Sequence, residues 1–296
     1  MSLIKDPVGA RRLPLNPVPL PVHTPDEAAE RLAAFLNRYP RIFVLTGAGL
    51  STDSGIPDYR DSDGAWKRRP PVQHQDFMTH AHVRQRYWGR SLVGWPFVRD
   101  AQPNDAHLSL AELEQRDYIG QVVTQNVDRL HQRAGSQQVI DLHGRADKVL
   151  CMNCGEGEMQ SQMHQRSWQL NPDFRHFTAS AAPDGDADLE VDFSGFRIPD
   201  CQQCGGILKP DVVFFGDNVP RPRLATAMEA LKSSDALLVV GSSLMVYSGF
   251  RFCRQAAEWG KPIAALNLGH TRADDLLDLK LNARITETLA LTLARL

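Results

Sequence analysis

Residues 41–60 read Arg41-Ile42-Phe43-Val44-Leu45-Thr46-Gly47-Ala48-Gly49-Leu50-Ser51-Thr52-Asp53-Ser54-Gly55-Ile56-Pro57-Asp58-Tyr59-Arg60. The run from Arg41 to Thr46 is apolar and rich in β-branched and large residues, without polar alternation, which predicts a buried parallel strand. It breaks into Gly47-Ala48-Gly49, a turn that brings bare backbone N–H groups close to a ligand and suits a pyrophosphate. The segment then departs from the dehydrogenase pattern. Thr52 stands where the third glycine of G-x-G-x-x-G would fall, and a second loop, Ser54 to Arg60, follows at once. A loop carrying Asp58, Tyr59 and Arg60 beside a dinucleotide points to chemistry on the dinucleotide itself, not to simple hydride exchange.

Upstream, Pro25 to Leu36 opens a helix, with Thr24 as N-cap, Pro25 at the first position and Glu27 completing a capping box. Downstream, strand patterns at Ile119–Thr124, Val139–Leu142, Ala236–Val240 and Pro262–Asn267 alternate with helical patterns at Ala106–Glu114, Asp128–Ala134, Arg221–Lys232 and Ser248–Glu258. Such alternation predicts an α/β fold, a Rossmann-like parallel sheet with helices on both faces. That domain is expected to comprise residues 26–56, 106–144 and 211–296. Two segments interrupt it: a helical insertion over 57–105, and a module over 145–210 that holds the paired cysteines. Together they form a smaller lobe. Residues 1–25, with Pro7, Pro14, Pro17, Pro19, Pro21 and Pro25, read as an extended Pro-rich arm. Ligands of such sheets bind at the carboxyl ends of the strands near the switch point, so the cleft between sheet and lobe is the expected site.

The chain has 296 residues, room for one large domain with a small module. Its 42% hydrophobic and 23% charged residues are ordinary for a globular chain. A net charge of -2 gives no global argument for nucleic acid. No apolar run approaches the roughly 20 residues of a membrane span, and the N-terminus lacks a signal-type apolar core. The expectation is a cytoplasmic protein with neither nucleic-acid nor membrane partners. Of the five cysteines, Cys151-x-x-Cys154 and Cys201-x-x-Cys204 are spaced for tetrahedral zinc, each pair followed by glycine. Four thiolates close the coordination sphere, so one structural zinc per chain is expected. Redox-active C-x-x-C pairs are the competing reading, but neither pair opens a βα helix. Cys253, in a helical segment, reads as a buried core thiol.

The string from Gly47 to Arg60 resembles the NAD-binding signature of the sirtuins, the NAD-dependent protein-lysine deacylases. Later blocks match in order as far as about Asn282. Arg84-Gln85-Arg86-Tyr87-Trp88, Lys209 to Asp217 and Gly241 to Gly249 resemble the class II branch in particular. The resemblance implies that Gly47, Ala48, Gly49, Asp58, Tyr59 and Arg60 bind NAD, a consumed co-substrate. Gln125-Asn126-Val127-Asp128 would form the nicotinamide pocket, with Asn126 and Asp128 catalytic. From the residues alone, an amide and a carboxylate at a strand end can recognise a carboxamide, or Asp128 can simply cap the next helix. Gly241, Ser242, Ser243, Asn267, Leu268 and Gly269 put small or polar groups at strand ends, as turns or as ribose contacts. The resemblance assigns them to the adenosine half.

His143, at a strand end before Gly144, can accept a proton near neutrality. The resemblance makes it the general base, whereas His74, His107 and His131 carry no such support. Val213, Phe214, Phe215, Gly216 and Val246 would sandwich an acylated-lysine peptide as an added strand. Tyr87 and Arg90 are either a solvated helix face or a carboxylate clamp in the acyl pocket. The implied reaction is attack of the acyl oxygen on the nicotinamide ribose, loss of nicotinamide, and release of lysine and O-acyl-ADP-ribose. Alternatives are an ADP-ribosyltransferase on the same scaffold and a zinc-ribbon binding module without turnover.

Overall fold

The computed structural model describes residues 20–59, 71–178, 180–181 and 187–296. In chain order its elements are α1 (Pro25–Arg38), β1 (Ile42–Thr46), α2 (His74–Thr79), α3 (Ala81–Asp100), α4 (Asp105–Gln115), β2 (Ile119–Thr124), α5 (Leu130–Arg133), β3 (Val139–Asp141), β4 (Gly144–Cys151), β5 (Gly157–Met159), α6 (Gln160–Leu170), β6 (Ser180–Ala181), β7 (Ala187–Asp188), β8 (Leu208–Val212), α7 (Arg221–Ser233), β9 (Ala236–Val240), α8 (Tyr247–Glu258), β10 (Ile263–Leu266), β11 (Leu279–Leu281) and α9 (Ile285–Leu293).

The apolar runs become the main sheet, ordered β11-β10-β9-β1-β2-β3 with every pairing parallel. This is doubly wound order, and its direction reverses between β1 and β9. Both of those strands are buried along their whole length. Side chains alternate across the sheet. Ile42 and Val44 of β1 pack with Leu32 and Leu36 of α1, Leu110 and Leu113 of α4, and Leu289 of α9. Phe43 and Leu45 face the other layer, with Leu231 of α7 and Phe252 of α8. Burying each such side chain stabilises the fold by about 1.5–3 kcal/mol. The predicted capping box at α1 is present: Glu27 N–H donates to Thr24 Oγ1 at 3.2 Å, and Thr24 N–H donates to Glu27 Oε2 at 3.0 Å.

The smaller lobe has its own antiparallel sheet, β5-β4-β8. A third core, containing Phe77, Trp88, Met163, Phe196 and Phe214, holds it against α2, α3 and α6. β8 spans residues 208–212, so the sheet of this lobe runs across the border expected at 210/211. The helix expected from Asp128 is only Leu130–Arg133, because Arg129 adopts a left-handed backbone, φ 67°. β11 and α9 add an edge strand and a closing helix that the sequence reading lacked. The Pro-rich arm falls outside the described residues for positions 1–19. At its end, His23 N–H donates to the Asn282 carbonyl at 2.9 Å. Among the described residues no helix is long and apolar enough to cross a membrane.

Candidate active site

The switch point brings two loops back to back. Gly47 N–H donates to the Val240 carbonyl at 3.1 Å and Gly49 N–H to the Gly241 carbonyl at 2.9 Å. These two amides therefore face the neighbouring strand end, not a ligand as the glycine pattern predicts. Close packing is the reason for glycine here. A Cβ on Gly47 would lie 2.7 Å from Ser242 Cβ, and one on Gly49 3.0 Å from the Gly241 carbonyl oxygen.

A cleft of about 540 Å³ opens above these loops, within the usual range for small-molecule sites. Gly47, Ala48, Gly49, Asp58, Tyr59, Gln125, Asn126, Asp128, Gly241, Ser242, Ser243, Asn267 and Leu268 all line it. Gly269 stands off the lining: its N–H donates to Asn282 Oδ1 at 2.9 Å and its carbonyl accepts from Lys280 Nζ at 2.8 Å. Arg60 lies outside the described residues.

Asn126 and Asp128 are tied together through Ser51, whose hydroxyl donates to Asp128 Oδ2 at 2.7 Å. Asn126 Nδ2 donates to Ser51 Oγ and to the Gly47 carbonyl, both at 3.0 Å. Both amide hydrogens are thus committed, which leaves Oδ1 to accept from a ligand. Asp128 is 8% exposed, and burial pushes its carboxyl above the ordinary range. Its Oδ1 also accepts from Leu130 N–H, at the start of α5, at 2.9 Å, although the N-cap of that helix is Arg129 and not Asp128.

His143 is held at both ring nitrogens. Nδ1 lies 3.0 Å from the Gln125 carbonyl oxygen and Nε2 lies 2.7 Å from Ser248 Oγ. A carbonyl only accepts, so Nδ1 carries the proton and Nε2 presents its lone pair to the Ser248 hydroxyl. Burial pushes the imidazole down to about 4, against the opposing pull of the Gln125 bond. The ring is therefore neutral at neutral pH, with its lone pair at Nε2. The next residue, Gly144, has φ 86°, and β8 passes so close that a Cβ there would sit 2.0 Å from the Asp211 carbonyl oxygen.

The His143 carbonyl accepts from Val213 N–H at 2.8 Å, so the Val213 segment starts beside His143. Val213, Phe214, Phe215 and Gly216 line one side of the cleft, with Val246 among its other lining residues. Lys209 buttresses the segment from inside. Its ammonium donates to the carbonyls of Pro210 and Val212 and lies 4.3 Å from the centre of the Phe214 ring, and burial pushes it down to about 8.

Tyr87 and Arg90 are not among the described residues that line this cleft. Tyr87 is 5% exposed and packs on Phe77, Trp88 and Phe214, one layer behind the cleft. Arg90 Nε donates to the Ala187 carbonyl at 2.6 Å, which turns that part of the head group to the small ribbon of β6 and β7. His107 and His131 are buried beneath the cleft, their rings 5.1 Å apart, and His131 Nε2 lies 2.9 Å from Thr46 Oγ1. Ser51, Ser248, Gly144 and Lys209 are the site residues that the sequence reading did not single out. A polar residue in the first turn after Val246 was the available sign for Ser248.

The sulfur atoms of Cys151, Cys154, Cys201 and Cys204 lie within 4.8 Å of one another, with Cys151–Cys204 at 3.5 Å and Cys154–Cys201 at 3.7 Å. A regular tetrahedron with Zn–S of 2.3 Å has S–S edges of about 3.8 Å. All four are free thiols, so the donor set fits one closed, structural zinc. Cys253 is fully buried, as its helical setting predicts.

The family model described as "Sir2 family" matches residues 47–248. "NAD-dependent protein deacetylase 2" of Bradyrhizobium diazoefficiens is 58% identical over 267 residues, covering 90% of this chain and 98% of its own. The human "NAD-dependent protein lipoamidase sirtuin-4, mitochondrial" is 49% identical over 269 residues, covering 90% of this chain and 86% of its own. A solved structure described as "Sir2-p53 peptide-NAD+" superposes with TM-score 0.71 at 30% identity, covering 90% of this chain and 97% of its own. Another, "Structural Basis for the Mechanism and Regulation of Sir2 Enzymes", gives 0.72 at 32% identity, covering 91% and 99%.

Proposed function

The chain belongs to the Sir2 family, and we propose that the cleft at its switch point is where it carries out NAD-dependent removal of acetyl groups from protein lysine. That the chain is an NAD-dependent protein deacetylase follows from its relatives. What we add is the division of labour. Bound NAD supplies the electrophilic ribose carbon. Asn126, through Oδ1, accepts from the carboxamide, and Asp128 holds Ser51 and the start of α5 in place around it. Ser242, Ser243, Asn267 and Leu268 receive the adenosine half. Val213–Gly216 and the loop before α8 take the substrate backbone as an added strand, main chain to main chain.

His143 accepts the proton of a ribose hydroxyl at Nε2. For this Ser248 gives up its hydrogen bond to that atom when substrate arrives. The single observation that carries the reading is the fixed, neutral tautomer of His143 in the same cleft as Asn126 and the Val213 segment. Holding these groups in one geometry is the source of most of the rate gain.

The test is turnover of an acetyl-lysine peptide with NAD, the product identified by mass. O-acetyl-ADP-ribose supports the reading; an ADP-ribosylated acceptor without deacetylation overturns it. In His143→Ala, turnover should fall about 10²–10⁴-fold while NAD still binds. Near-normal turnover in the folded variant would remove His143 from the base role.

A further inference from the structure

The first turn of α8 gathers guanidinium groups beside the peptide channel. Arg251 lines the cleft, and its Cζ lies 5.1 Å from the centre of the Tyr247 ring. Arg272 places its Cζ 5.8 Å from the same ring and 4.3 Å from that of Phe250, while Nη1 donates to the Met245 carbonyl at 3.2 Å. Arg254 Nη1 donates to the Tyr247 hydroxyl at 3.4 Å. Of the three, Arg254 faces Glu258 at 3.5 Å.

Arg251 differs. Among the described residues it makes no hydrogen bond and no ion pair, and its Nε is both buried and unpartnered. Its side chain folds back one turn toward the helix N-terminus, the direction long helical side chains take, and stacks on Tyr247. The ring fixes the cation at low entropic cost, and the α8 N-terminus adds partial positive charge. Tyr247 itself is 45% exposed, so the outer side of this pair is open to solvent. The acids that line the cleft do not neutralise it. Asp217 faces His74 at 3.3 Å, and Asp128 accepts from Ser51 at 2.7 Å.

We infer that Arg251, held on Tyr247 and backed by Arg272, is an anion subsite that selects substrate peptides with an acidic side chain close to the acetylated lysine. The inference rests on the proposed peptide channel between Val213–Gly216 and the loop before α8. In an added strand, side chains on alternate positions point to one wall, so an Asp or Glu near the lysine has one register in which it meets a guanidinium. The pair is partly exposed, so the gain is modest. Exposed pairs contribute up to about 1 kcal/mol, which is about fivefold in KM.

The test compares acetyl-lysine peptides that differ only in carrying Glu, Gln or Lys at each of the two positions on either side of the lysine. The assay uses the full chain at saturating NAD. At one position or more, KM should be up to about fivefold lower for Glu than for Gln, and higher for Lys. The advantage should shrink between 0.05 and 0.5 M salt. Arg251→Gln should collapse the Glu-to-Gln ratio toward one, and Arg251→Glu should invert it in favour of Lys.

Equal KM values across the wild-type panel overturn the inference and leave the deacetylase reading intact. So does a Glu preference that survives Arg251→Gln. A tenfold rise in the KM for NAD in Arg251→Gln overturns it too, by moving the residue to the co-substrate. A preference found only for acyl groups that carry a carboxylate would put the anion in the wrong place and also sink it. Failure to deacetylate any peptide of the panel removes the deacetylase reading, and the inference with it.

Discussion

Gly144→Ala tests the geometry of the site through a residue that performs no chemistry. The position has φ 86°, a region where an L-residue costs roughly 1–2 kcal/mol. The new methyl would lie 2.0 Å from the Asp211 carbonyl oxygen, where ordinary contact begins at 3.4 Å, so about 1.4 Å of separation must be found. The obstructing atom is main chain at the paired edge of β8, so no side-chain rotation relieves it. Either β8 shifts or the Gly144–Val212 pairing opens, and with it goes the Val213 N–H bond to the His143 carbonyl. Overpacking of this kind costs about 1–3 kcal/mol and the lost bond about 1. With the cost of the left-handed backbone the total is about 3–6 kcal/mol, a large part of the stability of a typical domain.

Urea unfolding should show that loss. The kinetic loss should be larger than stability alone explains, because His143 and the peptide segment meet at this one position. A misplacement of about 1 Å is worth on the order of 10²-fold in rate. Peptide KM should rise with it, while NAD affinity, set at the ends of β1, β2, β9 and β10, should be little changed. A Gly144→Ala protein within 1 kcal/mol of wild type and with wild-type kcat/KM would refute the contact between β4 and β8 on which this reasoning stands.

Metal analysis should give one zinc per chain. Chelation or Cys204→Ser should lower the melting temperature and the peptide turnover together; a metal-free chain with full activity would contradict the tetrad. Burial holds the His143 imidazole down at about 4, and in Ser248→Ala the ring also loses a donor that stabilises its neutral form, so its pKa should rise above that value while burial keeps it below the ordinary imidazole range. The acid limb of kcat/KM for the free enzyme should move to higher pH accordingly, and an unmoved limb would show that Ser248 does not govern the base. His107 and His131 are buried, and burial pushes them down to about 4 and about 3. Their folded values lie below the unfolded value, so the unfolded chain binds more protons as pH falls below about 6.5. Stability should then drop by about 2 kcal/mol per histidine between pH 6.5 and 5, which urea unfolding at the two pH values measures; a flat profile would argue that they are not buried as described.

The sheet was legible where burial on both faces removes all polar alternation, as in β1 and β9. It was not legible at β11. Leu279-Lys280-Leu281 is a three-residue edge strand that pairs only with β10, and its short alternation is indistinguishable from a loop. α9 escaped for a related reason. Ile285 to Leu293 is rich in Thr and β-branched residues, and its helix is decided by packing on α1 and α4, which no local pattern records. The glycine-rich string that lines the cleft and the two cysteine pairs were readable because each is local. Their partners were not: Ser51 with Asp128, His143 with Ser248 and Gly144 with Asp211 are far apart in the chain and meet only through the topology. Tyr87 and Arg90 show the limit of spacing itself. Helical spacing puts them on one face, but α3 buries Tyr87, Trp88, Gly89, Ser91 and Leu92 in succession, so spacing alone could not say which neighbour that face meets.

One strand joins the metal to the chemistry. β4 begins at Gly144, beside His143, and ends at Cys151, in the cysteine tetrad, about 23 Å away at about 3.3 Å per residue. β8 runs antiparallel to it, from Leu208 near the second cysteine pair to Val212, where the peptide segment starts. Register in such a pair is all or nothing, since a one-residue slip moves every side chain to the other face. A slip here would give the His143 carbonyl to a neighbour of Val213 and carry Phe214 away from Phe77 and Tyr87. The pairing has an irregularity between Gly144 and Val149, so the ladder alone specifies register weakly at the active-site end. Clamping Cys151 and Cys154 to Cys201 and Cys204 fixes it from the far end. A zinc held by this tetrad would be structural in its coordination and would still set where the Val213 segment lies relative to His143. This is why its removal should raise peptide KM before it unfolds the Rossmann-like domain, whose two cores lie on the faces of a different sheet.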